Sequence, residues 1–78
     1  MSFDSHRRKV LDESIPLSHR ASHLRSCLNH VANKLNMSRE NLLDKITVDI
    51  GVDLNTIESD TDLLLGLEIL ESLRRSSD

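Results

Sequence analysis

Residues 17–35 read LSHRASHLRSCLNHVANKL. With each residue turning the chain by about 100°, Leu17, Ala21, Leu24, Leu28, Val31, Ala32 and Leu35 fall within a sector about 100° wide. That pattern predicts a long amphipathic helix with one face in a core. Pro16 suits the first turn of this helix, where a missing N–H costs nothing, so the helix is expected to begin there and to span about 16–35.

The opposite side of this helix is rich in ligand-type residues. His19, His23 and His30 point roughly 200° to 240° round from Leu17, and Cys27 about 280° round. The four residues suit three readings: a solvated polar back, a pH-sensing face, or a metal-ligating face. Zinc takes imidazole and thiolate ligands, and a His pair four apart can grip one ion. His19 and His30 are separated by about 16 Å along a helix axis, so one straight helix cannot close four ligands round an ion. No second His/Cys cluster stands elsewhere in the chain to complete it.

Two further helices follow. Ser38 is a good N-cap with Glu40 in the first turn, and Leu42, Leu43, Ile46 and Ile50 share a face that ends at Gly51, a natural C-terminal stop. The segment 47–54, TVDIGVDL, also alternates like a strand. A lone strand has no pairing partner, so the expectation is helix to about Ile50 and then an extended connector. The last helix spans about 60–75, opening with acids and closing on Arg74 and Arg75, which matches both ends of a helix dipole.

Seven apolar residues, Leu63, Leu64, Leu65, Leu67, Ile69, Leu70 and Leu73, surround most of this last helix and leave a narrow strip with Glu68, Ser72 and Arg75 for water. Two short helices of one chain cannot cover so much apolar surface. The seven are therefore expected to form a dimer interface, centred on Leu64, Leu65 and Ile69. Gly66 is either a neutral surface residue or the point where two last helices approach closely. Residues 1–15 read as a basic arm or a short helix carrying Val10 and Leu11. The fold expected is all-α: a small domain of three or four helices over 16–78, paired as a homodimeric bundle.

Composition narrows the functional classes. The chain has 78 residues, one cysteine and a single aromatic, Phe3. One cysteine allows no internal disulfide, and a chain this short has little margin for a self-sufficient core, so a partner is expected to help. No stretch has the length of a signal peptide's apolar core or of a bilayer span, which points to a cytoplasmic protein. Two glycines leave no phosphate-binding loop, and no concave pocket is expected in so small a helical body; the reading is non-enzymatic, with no cofactor and no small-molecule substrate.

Charge is unevenly divided. Residues 1–34 carry six Lys/Arg against three acids, whereas residues 35–78 carry four against ten, which gives +3 and −6 and reproduces the net −3. All four histidines lie in the basic part, so protonating them moves the chain from −3 toward +1. Arg7, Arg8, Lys9, Arg20 and Arg25 are the candidates for contact with nucleic acid. The footing would be electrostatic and salt-sensitive, because the chain is acidic overall and offers no aromatic platform.

The stretches NMSRENLLDKI (36–46) and DTDLLLGLEILESL (60–73) resemble the YmgB/AriR-type small regulators of enteric bacteria. The likeness rests on length, helix order and the boundary at Asn36, Ser38, Arg39 and Leu42, and covers about residues 20 to 75. It implies a helical homodimer acting as a non-enzymatic connector in biofilm and acid-stress regulation, through a protein partner and through DNA. The GVDLN connector and the histidine face depart from that family. A second likeness, of IGVDLNTIESDTDLL (50–64) to acyl carrier proteins, fails where a carrier has Asp-Ser-Leu and this chain has Leu65-Gly66-Leu67.

Overall fold

A computed structural model describes residues 2–76; Met1, Ser77 and Asp78, the outer ends of the expected arm and domain, lie outside the described residues. Four helices follow one another: α1 (Phe3–Val10), α2 (Leu17–Lys34), α3 (Arg39–Ile50) and α4 (Asp60–Ser76). The described residues contain no strand.

Each helix end has a local cause. Ser2 caps α1 by accepting from the Ser5 N–H at 3.2 Å. The turn between α1 and α2 is held by the Asp12 carboxylate, which accepts from the Ser14 hydroxyl at 2.6 Å and the Ser14 N–H at 3.0 Å. These bonds keep the Asp12 carboxyl below the usual carboxylate range. Pro16 lies one residue outside α2, and its carbonyl accepts from His19 and Arg20 at 3.0 Å each. α2 ends in a Schellman motif: the Met37 N–H reaches the Ala32 carbonyl at 2.9 Å and the Asn36 N–H reaches Asn33 at 3.2 Å. Asn36 takes the left-handed position, at φ 57°. Ser38 caps α3 through the Asn41 N–H, and Gly51, at φ 70°, closes it. The Ser59 hydroxyl accepts from the Asp62 N–H at 3.2 Å and opens α4.

α2 is the central helix, and its Leu24, Leu28 and Val31 are buried with Leu42 and Ile46 of α3 and Leu63, Leu67 and Leu70 of α4. α1 lies mainly along α2 and touches α4, burying Phe3 and Val10, which fall on one face seven residues apart. The segment 51–59 is not a bare spacer. It inserts Leu54 fully into the core and turns on Asp53, whose carboxylate accepts from the Asn55 N–H at 2.9 Å.

This packing corrects the expected interface. Leu63, Leu67 and Leu70 are buried within one chain, covered by α2, α3 and Leu54, and so do not form a surface for a second copy. Leu64 and Leu65 remain exposed, at 46% and 40%, with Ile69 and Leu73 half-buried beside the core. Gly66 is also interior. A Cβ there would stand 2.6 Å from Leu54 Cδ2 and 2.9 Å from Leu24 Cδ2, so this glycine lets α4 close on its own chain. Among the described residues, no helix is long and apolar enough to cross a membrane.

Candidate functional site

Placing α1 over the back of α2 changes the character of the His/Cys face. Cys27 is completely buried, with its Sγ 4.0 Å from the Phe3 carbonyl oxygen. Burial, reinforced by Glu71, pushes the thiol pKa up to about 12, against smaller opposing effects of Arg7 and Arg74. A thiol held this far from ionisation is neither a nucleophile nor a ready metal ligand at neutral pH. His19 is exposed near the start of α2 and takes no part in the contact. The set His19, His23, Cys27 and His30 is therefore split: one member outside, one in the core, two at a helix–helix seam.

The seam gains a residue that spacing along α2 could not supply. His6 of α1 sits with its Nδ1 2.9 Å from the Nδ1 of His23, the ring centroids 5.2 Å apart. The His30 ring lies 5.8 Å from His6 on the other side. A shallow cleft beside them is lined by His6, Ser26, Asn29, His30 and Asn33, and includes no carboxylate. The His6 pKa is lowered, first by desolvation, then by the like charges of His23, the amino terminus, His30 and Lys9. No group of three or more His, Cys, Asp or Glu residues among those described is arranged to hold a metal ion.

The expected nucleic-acid contacts are largely consumed by the fold. Arg20, 5% exposed, donates from Nε to the Val10 carbonyl at 2.7 Å and from Nη1 to Asp60 Oδ1 at 3.0 Å, joining the end of α1 to the start of α4. Arg25 donates to the Leu54 carbonyl at 3.4 Å and to the Ser22 hydroxyl at 3.1 Å. Arg7 pairs with Glu71 of α4. Of the five cations proposed, Arg8 is exposed, Arg7, Lys9 and Arg25 are partly so, and only Arg20 is buried, but Arg7 and Arg25 already spend their guanidinium groups on partners within the chain. Arg20 carries a signal in the sequence: it projects at about 300° on α2, between Cys27 and Val31, both of them core residues.

α4 presents the other candidate surface. A cleft of about 250 Å³ is lined by Ile50, Leu65, Glu68, Ile69 and Ser72, and Leu64 lies exposed on the same helix. On the far flank of α4, the Arg74 guanidinium stacks 4.6 Å from the Phe3 ring centre and lies 3.8 Å from Asp4, so this end of the helix is used to hold α1. No family model, curated relative or solved structure matches the chain.

Proposed function

We propose that this chain is a small, non-enzymatic regulatory or adaptor protein of the cytoplasm that works as a homodimer. Its contact face is the part of α4 left uncovered by its own chain: Leu64, Leu65, Ile69 and Leu73, with Ile50 at the end of α3. The observation that carries the reading is the exposure of two adjacent leucines beside an apolar-walled cleft in a domain with little core to spare.

A second copy suits this face better than an unrelated partner because α4 is charged in opposite senses at its ends, Asp60 and Asp62 in the first turn and Arg75 in the last. Antiparallel pairing of two α4 helices brings each acidic end to the other copy's basic end and closes the contact as a two-fold. Pairing would bury the surface these side chains still expose, at about 25 cal/mol per Å² of apolar area, with Leu64 and Leu65 supplying the largest share. The resemblance to YmgB/AriR-type regulators supports the same class and suggests stress response as its setting.

Light scattering coupled to size exclusion at about 100 µM and pH 7.5 tests the reading. The expected mass is twice the 8.9 kDa chain mass. Leu65→Glu should give the single-chain mass with an unchanged helical circular dichroism spectrum. A wild-type mass that stays at one chain throughout a concentration series would overturn the homodimer.

A further inference from the structure

We infer that the three-histidine seam between α1 and α2 is a proton-operated latch: neutral His6 and His23 hold the first helix down through one shared hydrogen, and protonating both releases it from α2 and uncovers Cys27. The latch is independent of the oligomeric state proposed above.

The stoichiometry of the contact carries this inference. Two Nδ1 atoms 2.9 Å apart need one donor and one acceptor between them. A pair of neutral rings meets that need in either of two tautomeric arrangements. One added proton can also be accommodated, since an imidazolium Nδ1–H can donate to the neutral ring opposite. A second proton cannot. Both nitrogens then carry hydrogens, the acceptor is gone, and two positive rings face each other.

The surroundings do nothing to soften that state. His30 approaches His6 from α2, at 5.8 Å between ring centres, and can add a third positive charge. Lys9 of α1 and the amino terminus are further like charges acting on His6, whose affinity for protons is already lowered by desolvation. From α2 the adjoining cleft offers Ser26, Asn29 and Asn33, which are uncharged. Glu71 of α4 is paired with Arg7, and Asp4 lies by Arg74, both on the flank of α1 that faces α4. Those two ion pairs, Phe3 and Val10 oppose release, so the latch shifts a population of open α1 instead of unfolding the domain.

The closed state has a built-in reporter. Cys27 is fully buried under α1, with its sulfur against the Phe3 carbonyl, so lifting α1 is the local motion that admits a thiol reagent. The experiment labels the full chain with 4,4′-dithiodipyridine at pH 7.5 and 5.0. Each rate is divided by that of glutathione at the same pH, and circular dichroism with NMR shifts of α3 and α4 serves as the test of global folding. The expected result is a normalised rate about tenfold higher at pH 5.0, with α3 and α4 unperturbed. His6→Asn places an amide nitrogen or oxygen near the former Nδ1 and cannot titrate, so its pH-dependent rise should shrink to under twofold. A parallel measurement on wild type alone, long-range ¹H–¹⁵N correlation of the imidazoles, should find an Nδ1–H on one member of the His6/His23 pair at pH 7.5 and on both at pH 5.0. A flat normalised rate in wild type overturns the latch, as does an equal rise in His6→Asn, or loss of α3 and α4 signals together with the rise. Finding both rings as Nε2–H tautomers at pH 7.5 overturns it whatever the variant does.

Discussion

Arg20 of the central helix and the Val10 carbonyl are joined by a 2.7 Å hydrogen bond inside the core, while the same guanidinium reaches out to Asp60 at 3.0 Å. The carbonyl belongs to the last turn of α1, where no helical N–H is left to satisfy it, so a buried cation does the work of a C-terminal cap. Removing it strands a buried acceptor and leaves a void. Arg20→Ala is expected to lower unfolding free energy by about 2–4 kcal/mol in urea titrations. Asp60→Ala, at a carboxylate with 66% of its side chain exposed, should cost under about 1 kcal/mol. Comparable losses for the two variants would contradict the capping role.

Gly66→Ala sets two opposed effects against each other. Alanine gains roughly 1 kcal/mol of helix propensity over glycine, but overpacking a core costs about 1–3 kcal/mol. The added methyl would meet two fully buried leucines, Leu54 and Leu24, at under 3 Å, and both must move at once. Net destabilisation of about 1 kcal/mol is expected. Pairing it with Leu54→Ala in a double-mutant cycle should show a combined cost smaller than the sum, because the shortened side chain makes room.

Cys27 should be chemically silent in the native protein near neutral pH. With its pKa near 12, against an ordinary value of 9.0, about a thousandfold less thiolate is present than for a free thiol. Alkylation by iodoacetamide at pH 7.5 is expected to run at least a hundredfold slower than in urea-unfolded chain. Rapid native labelling would place the sulfur outside the core.

Stability should fall on mild acidification. The folded His6 pKa lies below its unfolded value of 6.5, so between the two the unfolded chain binds more protons and unfolding free energy rises with pH. The contribution is therefore present above pH 6.5 and is lost as pH falls from 6.5 through the folded pKa. Because His6 is only partly buried, solvent screening keeps its own share small. Urea midpoints at pH 7.5 and 5.5 are expected to differ in that direction, and the difference should narrow in His6→Asn.

The helical order was readable because α2 and α3 carry their apolar residues at helical spacing and α3 is bracketed by residues with clear capping and stopping chemistry, Ser38 and Gly51. The surplus of leucine on α4 was visible too, but its destination was not. Leu54, lying in an irregular segment, and Gly66, lacking a side chain, together let the chain cover Leu63, Leu67 and Leu70 itself. A short helix was one of two readings of residues 1–15, but charge concealed the packing of α1, since Phe3 and Val10 are separated by six residues that include Arg7, Arg8 and Lys9. With that packing hidden, Cys27 read as part of the polar back of α2 and His6 had no connection to His23. Contacts between residues far apart in sequence leave no periodic trace, and the histidine seam is made of one.

The connector at 51–59 limits how this domain can be altered. It fills the interior with Leu54 and fastens itself by the Asp53 turn, so an insertion there would pull a plug from the core. Reporter peptides or fused modules belong instead at Leu11–Ser14, an exposed corner whose lengthening gives up the Asp12–Ser14 turn but no core side chain.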